Sequence, residues 1–166
     1  MLLVLFRHGP AGTALPSRGP EDGQRPLTPR GVEKTRRAGL GLRRVLDSDE
    51  PHIYSSPLVR AKETADLLAA AYVPMLHVEI MEALVPGQPM EEILGRIVEI
   101  ANGTVVLVGH EPGLGHLAGL LVTGKQMTLP LKKAGACGIE LSEKIAPGQG
   151  DLKWMATPRM LRALST

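Results

Sequence analysis

Aromatic side chains are nearly missing: one Trp, two Tyr and one Phe in 166 residues. A chain so poor in rings offers no stacking platform for single-stranded nucleic acid, and its core must be packed from Leu, Val, Ile, Ala and Met. Cysteine occurs once, at Cys137, which excludes an internal disulfide and a cysteine-built metal site. A large excess of one charge is lacking too, and a formal net charge of +2 is too small to imply a nucleic-acid partner. No stretch approaches the ~20 apolar residues of a membrane span. The N-terminal apolar run is too short for a signal peptide and has no basic lead-in. These absences predict a soluble, cytoplasmic protein in a reducing compartment, with neither membrane nor nucleic acid as partner. With 43% hydrophobic and 22% charged residues, a single domain over residues 1–166 with its own core is expected.

What the chain does have is short apolar runs that break into polar residues. Leu2-Leu-Val-Leu-Phe6 runs straight into Arg7, His8 and Gly9, as a strand buried on both faces does where it emerges at a site. A long polar segment rich in Gly and Pro follows, holding Arg18, Glu21, Asp22 and Arg25; loops of that length are usually functional or mobile. Thr28-Pro29 reads as an N-cap with proline in the first turn. Val32, Gly39, Leu42 and Leu46 then predict an amphipathic helix over 29–47, with Lys34, Arg36, Arg37, Arg43 and Arg44 on a solvated basic face. Residues 51–55 read as a second strand, with Ser56 the natural N-cap of a helix that starts at Pro57, placing Arg60 in its first turn. A third strand is expected over 76–80, a loop over 82–87, and a helix marked by Met90, Ile93, Leu94, Ile97 and Ala101. Thr104-Val-Val-Leu-Val108 is the clearest buried strand; it runs into Gly109-His110-Glu111-Pro112-Gly113, and Leu114, Leu117, Ala118 and Leu121 mark the helix after it. Strands are expected over 134–141 and 151–156, joined by a Pro-Gly-Gln-Gly turn at a sheet edge, with a last helical turn from Pro158. Strands alternating with helices predict an α/β fold: a mostly parallel sheet with an antiparallel edge and helices on both faces.

At the strand ends stand Arg7 and His8, Arg60, and His110. Two guanidiniums and two imidazoles around one pocket suit a dianion, because the planar arginine fork fits phosphate oxygens bidentately. Phosphoryl transfer spreads negative charge over three equatorial oxygens, so positioned cations supply much of its catalysis. With no metal motif in view, and with Arg7 and Arg60 placed to repel a cation, neither metal nor other cofactor is expected. Neutral imidazole is also a competent nucleophile, and neighbouring cations disfavour its protonated form.

Arg7-His8-Gly9, Ser55-Ser56-Pro57-Leu58-Val59-Arg60-Ala61-Lys62-Glu63-Thr64-Ala65 and Val108-Gly109-His110-Glu111-Pro112-Gly113 resemble the signature blocks of the histidine phosphatase (phosphoglycerate-mutase-like) superfamily. Arg25-Pro26-Leu27-Thr28-Pro29-Arg30-Gly31 and Trp154-Met155-Ala156-Thr157-Pro158 resemble its small phosphohistidine phosphatase branch, and the likeness runs from Met1 to about Pro158. The resemblance implies a three-layer α/β/α, phosphoglycerate-mutase-like fold. It implies that His8 is the nucleophile that becomes phosphorylated, that Arg7, Arg60 and His110 complete the phosphate pocket, and that Arg25 is an extra contact from the loop. Larger members of the family place an acidic residue after the third strand, where Glu82 stands here; Glu111, or no dedicated acid at all, remains open for that role. His52, His77 and His116 read as isolated packed or surface residues. The expected substrate is phosphohistidine on a phosphorylated protein, with a small phosphorylated molecule as the alternative and a non-catalytic phosphate-binding module as the remaining one.

Overall fold

Three segments far apart in sequence end at one place because their strands lie side by side in register. The computed structural model describes residues 1–13, 20–47 and 50–165. In chain order its elements are β1 (Leu2–Arg7), α1 (Pro20–Gly23), α2 (Pro29–Leu46), β2 (His52–Ser55), α3 (Val59–Ala69) and β3 (Val78–Ile80). A 3₁₀ turn, Glu82–Leu84, leads to α4 (Met90–Glu99), β4 (Thr104–Gly109), α5 (Gly113–Thr123), β5 (Ala136–Leu141), β6 (Gly150–Ala156) and α6 (Pro158–Ala163). The six strands form one sheet in the order β3-β2-β4-β1-β5-β6. β1, β2, β3 and β4 run parallel, while β5 is antiparallel to both of its neighbours. This is the expected α/β architecture with its antiparallel edge.

β1 alternates its side chains between two cores, as the two-residue period of a strand dictates. Leu3 and Leu5 pack with Ile93 and Ile97 of α4 and Leu114, Leu117 and Leu121 of α5. Val4 and Phe6 pack on the other face with Ala38 and Leu42 of α2, Ala61, Ala65 and Leu68 of α3, and Leu161 of α6. Leu3, Val4, Leu5 and Phe6 are each fully buried, and each contributes about 1.5–3 kcal/mol relative to an exposed side chain. β1 is therefore gripped on both faces, which makes its end a rigid mount.

Several element boundaries and faces differ from the expectations. Val32 is exposed, because Gly31, one helical step away, is the residue that faces the chain at Pro10, where a Cβ would lie 2.0 Å from the Pro10 carbonyl oxygen. The helix begins as expected, with the Thr28 hydroxyl accepting from the Gly31 N–H at 2.9 Å. α3 starts at Val59, two residues later than expected, because Ser56 stays extended and its N–H donates to the Val108 carbonyl at 3.0 Å. The third strand is shorter than expected, and β5 starts at Ala136 because Ala134 before it adopts φ of 58°. The 82–87 stretch holds the 3₁₀ turn rather than loop alone. The polar segment before Pro26 carries the short helix α1 and an antiparallel bridge between Ala11 and Leu27. Arg18 lies outside the described residues.

Candidate active site

The register pairs Arg7 with Gly109 and Ser55 with Val108. The next residue on each strand, His8, His110 and Ser56, therefore emerges at the same edge of the sheet. Backbone bonds extend the ladder to the site itself: His8 N–H donates to the Gly109 carbonyl at 3.0 Å, as Ser56 N–H does to Val108. The first turn of α3 is tied to the same level, because Gly9 N–H donates to Thr64 Oγ1 at 2.9 Å and that hydroxyl donates to the Arg60 carbonyl at 2.7 Å. Gly9 has to be glycine, since a Cβ there would sit 2.0 Å from Thr35 Oγ1.

His8 is only 6% exposed, and its Nδ1 lies 2.7 Å from the Gly9 carbonyl oxygen. A carbonyl only accepts, so Nδ1 carries the hydrogen and Nε2 keeps its lone pair. Burial pushes the His8 imidazole down to about 4; the Gly9 bond opposes the shift, and the charges of Arg60, Arg7 and Lys133 add to it. The His110 ring stands 5.1 Å away, centroid to centroid, at 51°. Burial, then His8 and Arg60, push it to about 3. Both imidazoles are neutral at neutral pH. His110 Nε2 lies 2.9 Å from Ser56 Oγ.

Arg60 is 5% exposed. Its Nη1 donates to the Asp22 carbonyl oxygen at 2.8 Å, and its Nη2 is 3.2 Å from Asp22 Oδ2. Asp22 Oδ1 in turn accepts from Arg25 Nε at 3.0 Å, and Arg25 Nη1 donates to the Gly12 carbonyl at 2.6 Å. Desolvation alone would raise the Asp22 carboxyl, but Arg60 and Arg25 outweigh it and hold the group below the ordinary carboxylate range. Arg7 is fixed from the other side: its Nη1 donates to the Leu131 carbonyl at 2.8 Å, while Leu131 N–H donates to Glu111 Oε1 at 2.7 Å.

Three buried nitrogens at this edge have no hydrogen-bond partner among the described residues: Arg7 Nε, Arg60 Nε and His110 Nδ1. Such atoms cost free energy unless something pairs with them. They belong to the end of β1, the first turn of α3 and the end of β4, and the His110 ring is 5.1 Å from that of His8. An oxyanion with several acceptor oxygens satisfies all of them at once.

The structure thus brings together Arg7, His8, Arg60 and His110, with Arg25 one carboxylate removed from Arg60. Glu82 makes no hydrogen bond or ion pair to those residues among the described ones; it stands in the 3₁₀ turn after β3 and lines a surface groove with Glu92, Arg96 and Glu99. Glu111 is engaged at Leu131 and not at a histidine. His52, His77 and His116 are exposed. Among the described residues no group of three or more His, Cys, Asp or Glu could hold a metal ion. Asp22 and Ser56 join the site without having been singled out for it by the sequence patterns. Asp22 has one local signal, its spacing three residues before Arg25, whereas Ser56 reads as a helix cap.

Known proteins share this arrangement of chain and fold. An uncharacterized protein of Picosynechococcus sp. (strain ATCC 27264 / PCC 7002 / PR-6) is 36% identical over 143 residues, 84% of each chain. The protein histidine phosphatase SixA, solved with tungstate, is 21% identical with a TM-score of 0.81 over 97% of this chain and 99% of that one. The phosphoserine phosphatase of Entamoeba histolytica, solved as a mutant in complex with phosphoserine, is 17% identical with a TM-score of 0.69 over 96% and 98% of the two chains. No helix among the described residues is long and apolar enough to cross a membrane. Residues 3–85, half of the chain, match the model of the histidine phosphatase superfamily (branch 1), and the chain belongs to that superfamily.

Proposed function

We propose that this protein is a metal-independent phosphatase that works through a phosphohistidine at His8, with phosphohistidine on a protein as its substrate. One observation carries the reading: a neutral imidazole, held at Nδ1 by Gly9 and so with its lone pair on Nε2, lies 5.1 Å from the His110 ring at a sheet edge where Arg7 Nε, Arg60 Nε and His110 Nδ1 have no partner among the described residues. Nε2 attacks phosphorus in line as the leaving group departs, and Arg7, Arg60 and His110 hold the equatorial oxygens. Water then breaks the new P–N bond, releasing inorganic phosphate and neutral His8. Arg25 acts through Asp22 on Arg60 and adds positive charge at the rim. His8→Ala should abolish hydrolysis of p-nitrophenyl phosphate and prevent trapping of a phosphoenzyme; activity that survives the change refutes the mechanism.

The choice of substrate is supported by the carboxylates. Asp22 is bound by two arginines, Glu111 accepts from Leu131 N–H, Glu63 accepts from Leu27 N–H, and Glu82 stands in its own groove. An imidazole leaving group needs less protonation than an alkoxide, so phosphohistidine suits a pocket without a dedicated acid. The SixA relative is a protein histidine phosphatase, and tungstate is a tetrahedral oxyanion like phosphate. The second reading, a phosphatase of small phosphorylated metabolites, is favoured by the exposed Lys133 beside His8 and by the fold shared with a phosphoserine phosphatase. Under that reading Glu82 is the acid. Glu82→Gln then lowers turnover of alkyl phosphates by about 10²-fold while sparing a phosphohistidine-bearing carrier protein. Rates on alkyl phosphates equal to or better than those on the carrier protein would overturn the protein-substrate assignment.

A further inference from the structure

Ser56 is fully buried at the end of β2, and its hydroxyl oxygen has two neighbours. Leu58 N–H donates to it at 3.3 Å, and His110 Nε2 lies 2.9 Å from it. An amide N–H can only donate, so the hydroxyl hydrogen cannot be used on Leu58. Among the described residues the one acceptor left for it is His110 Nε2. The alternative, an Nε2–H donating to Ser56, strands the serine hydrogen in the protein interior with nothing to receive it, at the cost of an unmade buried bond.

A neutral imidazole that accepts at Nε2 carries its own hydrogen at Nδ1, because the partner of one ring nitrogen sets the state of the other. His110 Nδ1 is the buried, unpartnered nitrogen of that ring. We propose that Ser56 is a positioning residue that fixes His110 as the Nδ1–H tautomer and so presents a neutral N–H donor to the phosphoryl oxygens. The proposal rests on the phosphatase reading of the site for its consequence, though not for the tautomer itself. It also gives the two histidines opposite tasks from one protonation pattern. Gly9 takes the Nδ1–H of His8 and leaves a lone pair for attack. Ser56 takes the lone pair of His110 and leaves an N–H for binding. With the tautomer reversed, a lone pair on Nδ1 would face the anion, and the pocket would lose one donor and gain one repulsion.

Long-range ¹H–¹⁵N spectra of protein labelled at histidine, recorded at neutral pH without ligand and assigned with His110→Gln, read the tautomer directly. His110 is expected to carry its hydrogen on Nδ1; a hydrogen on Nε2 overturns the proposal before any variant is made. Ser56→Ala is expected to shift His110 toward the Nε2–H form. It should slow phosphoenzyme formation from p-nitrophenyl phosphate by about 10–100-fold and weaken binding of inorganic phosphate about tenfold, with Ser56→Thr restoring all three. If Ser56→Ala does not fold, Ser56→Cys, whose thiol is a weak donor, takes its place with the same expectations. A slow variant whose His110 keeps Nδ1–H, or a variant within about twofold of the parent rate, refutes the role of Ser56. Failure of the parent protein to form phospho-His8 would instead refute the phosphatase reading, and the tautomer spectrum would still decide the role of Ser56.

Discussion

At the scale of single residues, the site keeps two histidines uncharged where water would let them titrate. An ordinary histidine protonates near 6.5, whereas burial holds His8 near 4 and His110 near 3. Between those limits the unfolded chain binds protons that the folded chain refuses, so stability falls as pH falls. The contribution is fully present above about pH 7 and is lost on the way down from 6.5 toward 4, at roughly 2 kcal/mol for each histidine between pH 7 and pH 5. Urea titrations at those two pH values should show this loss, and His110→Gln should remove about half of it. A parent protein equally stable at both would mean that the rings accept protons where they stand. The same residues show what sequence can reveal. Arg7, His8, Arg60 and His110 each follow an apolar strand or open a helix, so their convergence is legible from local patterns. Asp22 is not, because its partner Arg60 lies 38 positions along the chain and the ion pair exists only once the loop folds over α3.

At the scale of elements, strands that are buried on both faces announce themselves as unbroken apolar runs, and β1 and β4 are legible nearly to the residue. β3 is not, since it is an edge strand with Glu79 and Ile80 exposed and carries no such run. The start of α3 escapes the local pattern for a chemical reason. A serine before proline has the sequence signature of a helix cap, but here the Ser56 N–H donates to the Val108 carbonyl and continues the β2 ladder, so the helix starts only at Val59. The long α2 shows how closely helices meet around this framework. At Gly41 an added Cβ would fall 1.8 Å from the Leu161 carbonyl oxygen of α6. That contact is backbone and cannot rotate away, so Gly41→Ala should drive α6 off α2 and destabilise the fold by about 2–3 kcal/mol. The urea midpoint measures the loss. An unchanged midpoint would mean that α6 contributes little to folding.

At the scale of the whole molecule, the sheet order puts β1 and β4 in adjacent central positions and parallel, so both histidines leave the sheet at the same edge. A ligand outside the carboxyl ends of parallel strands is the general rule for open α/β sheets. Here the rule has a thermodynamic consequence. The pocket holds neighbouring cations and three unpartnered buried nitrogens, so an oxyanion bound there stabilises the native state by mass action. At a concentration 100 times its dissociation constant, phosphate or tungstate should add ~2.7 kcal/mol. For a chain of 166 residues that corresponds to a rise in Tm of about 5–10 °C. Sulfate tests whether the pocket requires a phosphate-like protonation pattern or accepts any tetrahedral dianion, and chloride at matched ionic strength controls for screening of surface charge. Arg60→Ala removes one of the three nitrogens and a guanidinium charge and leaves Asp22 paired with Arg25 alone, so its Tm should stay nearly flat across the same titration. A rise in that variant equal to the parent's would place the stabilising anion somewhere other than the strand ends, and the pocket built on Arg7, His8, Arg60 and His110 would not be where phosphate binds.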